Sequence, residues 1–164
     1  MKTDYRMQVL DSMSTVSAME WNALLPTTPG SRPFLTHEYL NFLETTGCVG
    51  SRTGWQAQHL VVRNHARELV AAAPLYLKEH SYGEYVFDWS WADAYRRNGL
   101  QYYPKLLSAI PFTPITGPRL LAIDPSARRA LIKGMVGLVS KLDVSSLHLL
   151  YPQDEDWPDR KSVV

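Results

Sequence analysis

The chain has 164 residues, 45% hydrophobic and 20% charged, a balance that fits one packed domain and excludes a disordered chain. A formal net charge of +1 gives no electrostatic reason to expect DNA, other nucleic acid or an anionic membrane surface as a partner. One cysteine, Cys48, excludes an intrachain disulfide and fits a reducing, cytoplasmic setting.

The N-terminal MKTDYRMQVLDS lacks the apolar core of a signal peptide, and no later stretch is apolar for the length of a membrane span. A soluble, unexported protein is therefore expected. Met7 to Leu10 reads as a short strand. Ser17 is placed to cap a helix over Ala18 to Leu25, with Met19 or Trp21 facing the core and Pro26 closing it. Three prolines and a glycine make Pro26 to Pro33 a loop. Thr36 then caps a helix whose apolar face is Tyr39, Leu40, Phe42 and Leu43, and Gly47 stops it.

Trp55 to Arg63 alternates, and Leu69 to Lys78 reads as a second strand. Asn64, His65 and Ala66 turn between them, which predicts a β-hairpin. Tyr85 to Trp89 reads as a third strand. Ala92 to Arg97 reads as a short helix ended by Asn98-Gly99. The pattern of Tyr103 to Ala109 leaves both a strand and a helical turn open. Prolines 111, 114 and 118 break up a connector. Asp124-Pro125 opens the strongest helix, with Leu131, Met135, Leu138, Val139 and Leu142 on one stripe. Gly134 and Gly137 weaken that helix by about 1 kcal/mol each relative to alanine unless they allow close packing. Ser146 to Tyr151 reads as a buried strand, and Asp154 to Trp157 as the start of another helix. Helices, then antiparallel strands, then strand–helix–strand predict an α/β or α+β layout with a mixed sheet flanked by helices.

Familiar chemical signatures are missing. There is no Walker A loop, no G-x-G-x-x-G and no G-x-S-x-G elbow. His37-Glu38 begins like a zinc-protease helix, but Asn41 stands where the second histidine is needed. No metal site is expected. Cys48 and His148 read as structural.

The informative stretch is Ser81 to Arg119. Eight of the chain's aromatic residues fall between Tyr82 and Tyr103. Asp88 and Asp93 sit among them, and carboxylates that lose hydration among rings shift pKa and can act as acid or base. Tyr82, Trp89, Trp91 and Tyr103 are candidates to line a substrate groove. Lys105 and Arg119 are candidate anion contacts. The other reading is a core with polar handles, in which Asp88 caps the turn into the Ala92 helix and Asp93 pairs with Arg96 or Arg97 on a solvated face. Solvent-facing Trp89 or Trp91 favours the groove; burial of both favours the scaffold.

The run PLYLKEHSYGEYVFDWSWADAYRRNGLQYYPKLLSAIPFTPITGPRLL resembles bacterial FemAB-like (peptidoglycan-biosynthesis-like) proteins of the GNAT acyltransferase superfamily. The resemblance extends through PFLTHEYLNFLETTGCVGSRTGW before it and SSLHLLYPQDEDW after it, about Met7 to Trp157. It implies two GNAT-like lobes, each a mixed sheet flanked by helices, and transfer of an acyl or aminoacyl group to an amine on a small-molecule or peptide-like acceptor. The donor it implies is an acyl-CoA or an aminoacyl-tRNA. The [QR]-x-x-G-x-[GA] pyrophosphate loop of CoA-binding lobes has no match in Thr113 to Asp124, so no cofactor is expected on this lobe. Residues 1–157 are thus read as an N-terminal lobe whose C-terminal companion would follow Trp157. Asp159 to Val164 departs from the resemblance and matches the translation of a common sequencing adapter, so 158–164 is read as a non-native tail. A transferase fragment inactive alone is expected; the alternative is a non-catalytic ligand-binding lobe with an aromatic groove.

Overall fold

The computed structural model describes residues 4–27 and 32–156, so the 158–164 tail lies outside the described residues. The strands are β1 (Arg6–Leu10), β2 (Trp55–Ala57), β3 (His59–Arg63), β4 (Leu69–Ala73), β5 (Tyr76–Lys78), β6 (Lys105–Ser108), β7 (Leu121–Ala122) and β8 (Leu147–Leu149). The helices are α1 (Ala18–Ala23), α2 (Arg32–Leu35), α3 (His37–Thr45), α4 (Trp89–Arg97) and α5 (Pro125–Leu142). This is the expected α+β class.

The hairpin forms, but it bends in the middle and feeds two sheets. Pro74 cannot donate to a ladder, and pairing lapses there and opposite at Gln58. Gln58 N–H donates to the Leu75 carbonyl at 2.8 Å, and Leu75 N–H donates to His59 Nδ1 at 3.3 Å, which ties the bend together. Beyond it, one half joins an antiparallel sheet of order β1-β3-β4-β7. The other half joins a mixed sheet of order β2-β5-β6-β8, in which β6 and β8 run parallel.

Strand alternation divides the core between the two faces of the first sheet. Leu60 and Val62 meet Leu131, Met135 and Leu138 of α5. Val61 points the other way, to Trp21, Leu35 and Leu40 of α1 to α3. Trp21 is the buried residue of α1 and Met19 is exposed. A third cluster around Trp55, Tyr76 and Leu107 fills the second sheet. The Asp124 carboxylate caps α5 by accepting from Ala127 N–H at 2.8 Å. Gly134 sits where α5 crosses β1 and β3. A Cβ there would lie 2.7 Å from Met7 Sδ and 2.9 Å from Leu60 Cδ2, whereas one at Gly137 would meet nothing.

Several local expectations are corrected. Tyr85 to Trp89 is not a strand. Gly83 and Tyr85 adopt left-handed backbone at φ 79° and 58°, and both sides of β5 are already taken by β2 and β6. Tyr103 to Ala109 resolves as β6. The strand near Ser146 shortens to β8 and is half-buried, because it is the outer strand of its sheet. Phe42 is exposed, leaving Leu40 and Leu43 as the buried face of α3. Of the loop expected from Pro26 to Pro33, residues 28–31 lie outside the described residues, and Arg32 and Pro33 belong to α2. Asp154–Asp156 is a single 3-10 turn, and Trp157 lies outside the described residues.

A buried charge quartet beneath exposed aromatics

β5 and β6 place Lys78 and Lys105 directly opposite one another, and both are fully buried. Like charges in that relation repel, and each has lost its water. The loop after β5 answers by folding back over the strand ends with two carboxylates. Lys105 Nζ lies 2.8 Å from Glu84 Oε2 and 2.5 Å from Asp88 Oδ2. Tyr102 and Tyr103 each donate a hydroxyl proton to Asp88 at 2.9 Å. Lys78 Nζ donates to the Tyr82 carbonyl at 3.2 Å and stands 3.9 Å over the Trp55 ring. Two lysines and two carboxylates make the quartet neutral as a unit, the condition under which buried charges are tolerated. Glu84 Oε1 alone in the quartet has no hydrogen-bond partner.

The four environments differ. Burial pushes the Lys78 ammonium down to about 8, against the pull of Glu84. Burial also raises the Glu84 carboxyl, against the hydrogen bond from Lys105. Burial acts on Asp88 in the same direction, but hydrogen bonds from Lys105, Ser81 and Tyr102 outweigh it and hold its carboxyl at about 2. Burial and the bonded Asp88 raise both tyrosines, Tyr103 to about 12. Asp88 is thus a fixed anion, while burial works against the charged forms of Lys78 and Glu84.

Asp88 also stands at the N-cap position of α4. Its carbonyl accepts from Ala92 N–H at 3.0 Å, but its carboxylate makes no cap and turns to Lys105 instead. The quartet therefore anchors α4, and α4 carries aromatics outward. Trp89 is 65% exposed and Trp91 66% exposed. Phe87 packs against Trp89 with ring centroids 5.3 Å apart, and Tyr82 and Tyr85 are exposed beside them in sequence.

Of the residues singled out from the sequence, Asp88, Tyr103 and Lys105 come together directly. Tyr82 joins through its carbonyl, while its ring faces solvent. Trp89 and Trp91 share the outward-facing helix. Asp93 pairs with Arg96 and Arg97 at 2.5 Å each on the surface of α4. Arg119 is elsewhere and fully buried: it donates to the Leu150, Ile115 and Pro118 carbonyls, with its backbone N–H on Asp156. Burial lowers it to about 10. Sequence reading missed Lys78, Glu84 and Tyr102. The available signal was the pairing itself, because aligning Leu69–Lys78 with the strand at Lys105 sets two lysines on one sheet and demands carboxylates nearby.

Two further polar sites are self-satisfied. His148 bonds to Ser146 Oγ at 2.8 Å. Glu44 accepts from Ser12 Oγ, Met13 N–H and His59 Nε2, the last at 2.8 Å. Among the described residues no group of three or more His, Cys, Asp or Glu is placed to hold a metal ion, and no helix is long and apolar enough to cross a membrane.

Fold and site together define an α+β domain built on a bent hairpin, with a neutralised charge cluster under an aromatic rim. Residues 12–163 match the FemAB-like family, described as peptidoglycan biosynthesis/recognition, and the chain belongs to that family. No significant match was found among curated proteins or among solved structures.

Proposed function

We propose that this chain is the acceptor-binding lobe of an N-acyltransferase of the GNAT superfamily, which moves an acyl or aminoacyl group onto an amine of a small-molecule or peptide-like acceptor. The observation that carries the reading is the exposure of Trp89 and Trp91 directly after a buried, hydrogen-bonded Asp88. Large exposed aromatics are costly to leave in water, and their faces attract ammonium groups. The quartet fixes the loop and the first turn of α4, so the rings are held in place before ligand arrives. In this account Tyr82, Trp89 and Trp91 touch the acceptor, while Asp88, Tyr103 and Lys105 hold the floor.

The donor, acyl-CoA or aminoacyl-tRNA, falls to a companion lobe. Gly117, the one glycine of the stretch where a pyrophosphate loop would lie, supports that division: its N–H is taken by the Tyr151 carbonyl at 3.1 Å. The chain alone is then a binding lobe without turnover.

Titration calorimetry with a short lysine-containing peptide bearing a free ε-amine tests this. The Trp89→Ala/Trp91→Ala double variant should bind at least about tenfold more weakly, with an unchanged far-UV spectrum because both rings are exposed. Equal affinity in the double variant would sink the proposal.

A further inference from the structure

Strand β1 is unusual for a sheet member. Four consecutive residues, Arg6 to Val9, are exposed, and only Leu10 is buried. It is the outer strand of its sheet, paired on one side with β3. Its other side offers backbone N–H and C=O groups with no partner strand among the described residues, the arrangement that accepts an added strand.

The two clefts beside this edge are basic. One, of about 560 Å³, is lined by Arg129 and Lys133 of α5, with Asp4 as its one carboxylate. The other, of about 540 Å³, is lined by Arg6, Arg63 and Arg67 and by no carboxylate. Met7 lines both, so the clefts meet at the strand. Arg63 is already paired with Glu20 at 2.6 Å. Arg6, Arg67, Arg129 and Lys133 make no ion pair among the described residues.

We infer that the free edge of β1 is a docking site for an acidic peptide in extended conformation, which would add a strand beside β1 and set alternate carboxylates against Arg6 and Arg67 on one side and Arg129 and Lys133 on the other. Side chains of an added strand alternate between the two faces, and the free cations are likewise divided between two clefts. Exposed Met7 and Val9 give the added strand apolar neighbours. A nucleic acid fits less well. Backbone pairing would go unused, and four free cations on a chain of net charge +1 supply few phosphate contacts. This surface belongs to the first sheet and is independent of the aromatic rim.

The test is fluorescence anisotropy at low and high salt with a labelled peptide of repeating Glu-Glu-Val-Val, which sets carboxylates on both faces of an extended strand. Three comparison probes are the same peptide N-methylated at alternate positions, its Lys/Val counterpart, and a single-stranded RNA of equal charge. The acidic peptide should bind, weaken as salt rises, and lose about tenfold in affinity to the Arg67→Glu/Lys133→Glu variant. N-methylation, which removes pairing but keeps charge, should abolish binding. Both substituted residues are exposed, and an unchanged far-UV spectrum confirms the fold. No binding by the acidic peptide, equal binding of the methylated or lysine peptide, tighter binding of RNA, or indifference to charge reversal would each overturn the inference.

Discussion

Lys105 holds more of this molecule together than its single charge suggests. Among the described residues it is the only cation in direct contact with both carboxylates of the quartet, and it lies within 5.7 Å of the Tyr102 and Tyr103 rings. Removing one partner of a buried pair strands the others, so Lys105→Met should cost roughly 3–5 kcal/mol in urea unfolding. A loss below about 1 kcal/mol would mean the quartet is not buried as a unit. Asp88 adds a pH signature. Its folded carboxyl sits at about 2, below its ordinary 3.8, so it contributes stability that is present above pH 3.8 and is lost as pH falls through 2. Acid unfolding of Asp88→Asn should be flatter than wild type across that window; an identical acid limb would contradict the assignment. Glu84, raised by burial, acts with the opposite sign: its contribution is full below pH 4.5 and is lost as pH rises above it through the raised folded value. Asp88, Tyr103 and Lys105 were legible in the sequence as carboxylate, phenol and cation within one aromatic stretch. Lys78 and Glu84 were not, because they matter through strand register, and register emerges only when two distant strands pair.

At the scale of elements, α5 makes the sharpest distinction. Its two glycines look alike in sequence but not in place. Gly137→Ala should raise stability by about 0.5–1 kcal/mol, since the new methyl meets nothing and the helix gains propensity. Gly134→Ala should show no such gain and should lower stability, because the buried Leu60 and the overlying Met7 side chain must move. Paired thermal melts decide it, and equal shifts would refute the close-packing role. The helix itself was readable from its Asp-Pro start and apolar stripe, and the hairpin from its alternation and turn. The bend in the hairpin was signalled by Pro74, but its consequence, two sheets rather than one, depends on which strands arrive beside each half. Tyr85 to Trp89 misled for a related reason. Aromatic and β-branched residues favour strands, yet a left-handed Tyr85 and a neighbouring strand with both sides occupied left nothing to pair with.

Across the whole molecule, the two sheets divide the work. The first, enclosed by α5 on one face and α1 to α3 on the other, supplies most of the packed core and exposes the β1 edge. The second carries the charge quartet and, through it, the aromatic rim on α4. Family membership agrees with a peptidoglycan-related role, and the rim is where the proposed acceptor would dock. The most direct measurement is a two-dimensional NMR titration of the tryptophan indole N–H signals with the lysine-containing peptide. Trp21 and Trp55 are fully buried and donate to the Leu35 and Tyr82 carbonyls, so they serve as internal controls. Saturable shifts of Trp89 and Trp91 with Trp21 and Trp55 unmoved are the predicted result. Still signals from Trp89 and Trp91 at saturating peptide, or equal shifts of all four, would contradict the account.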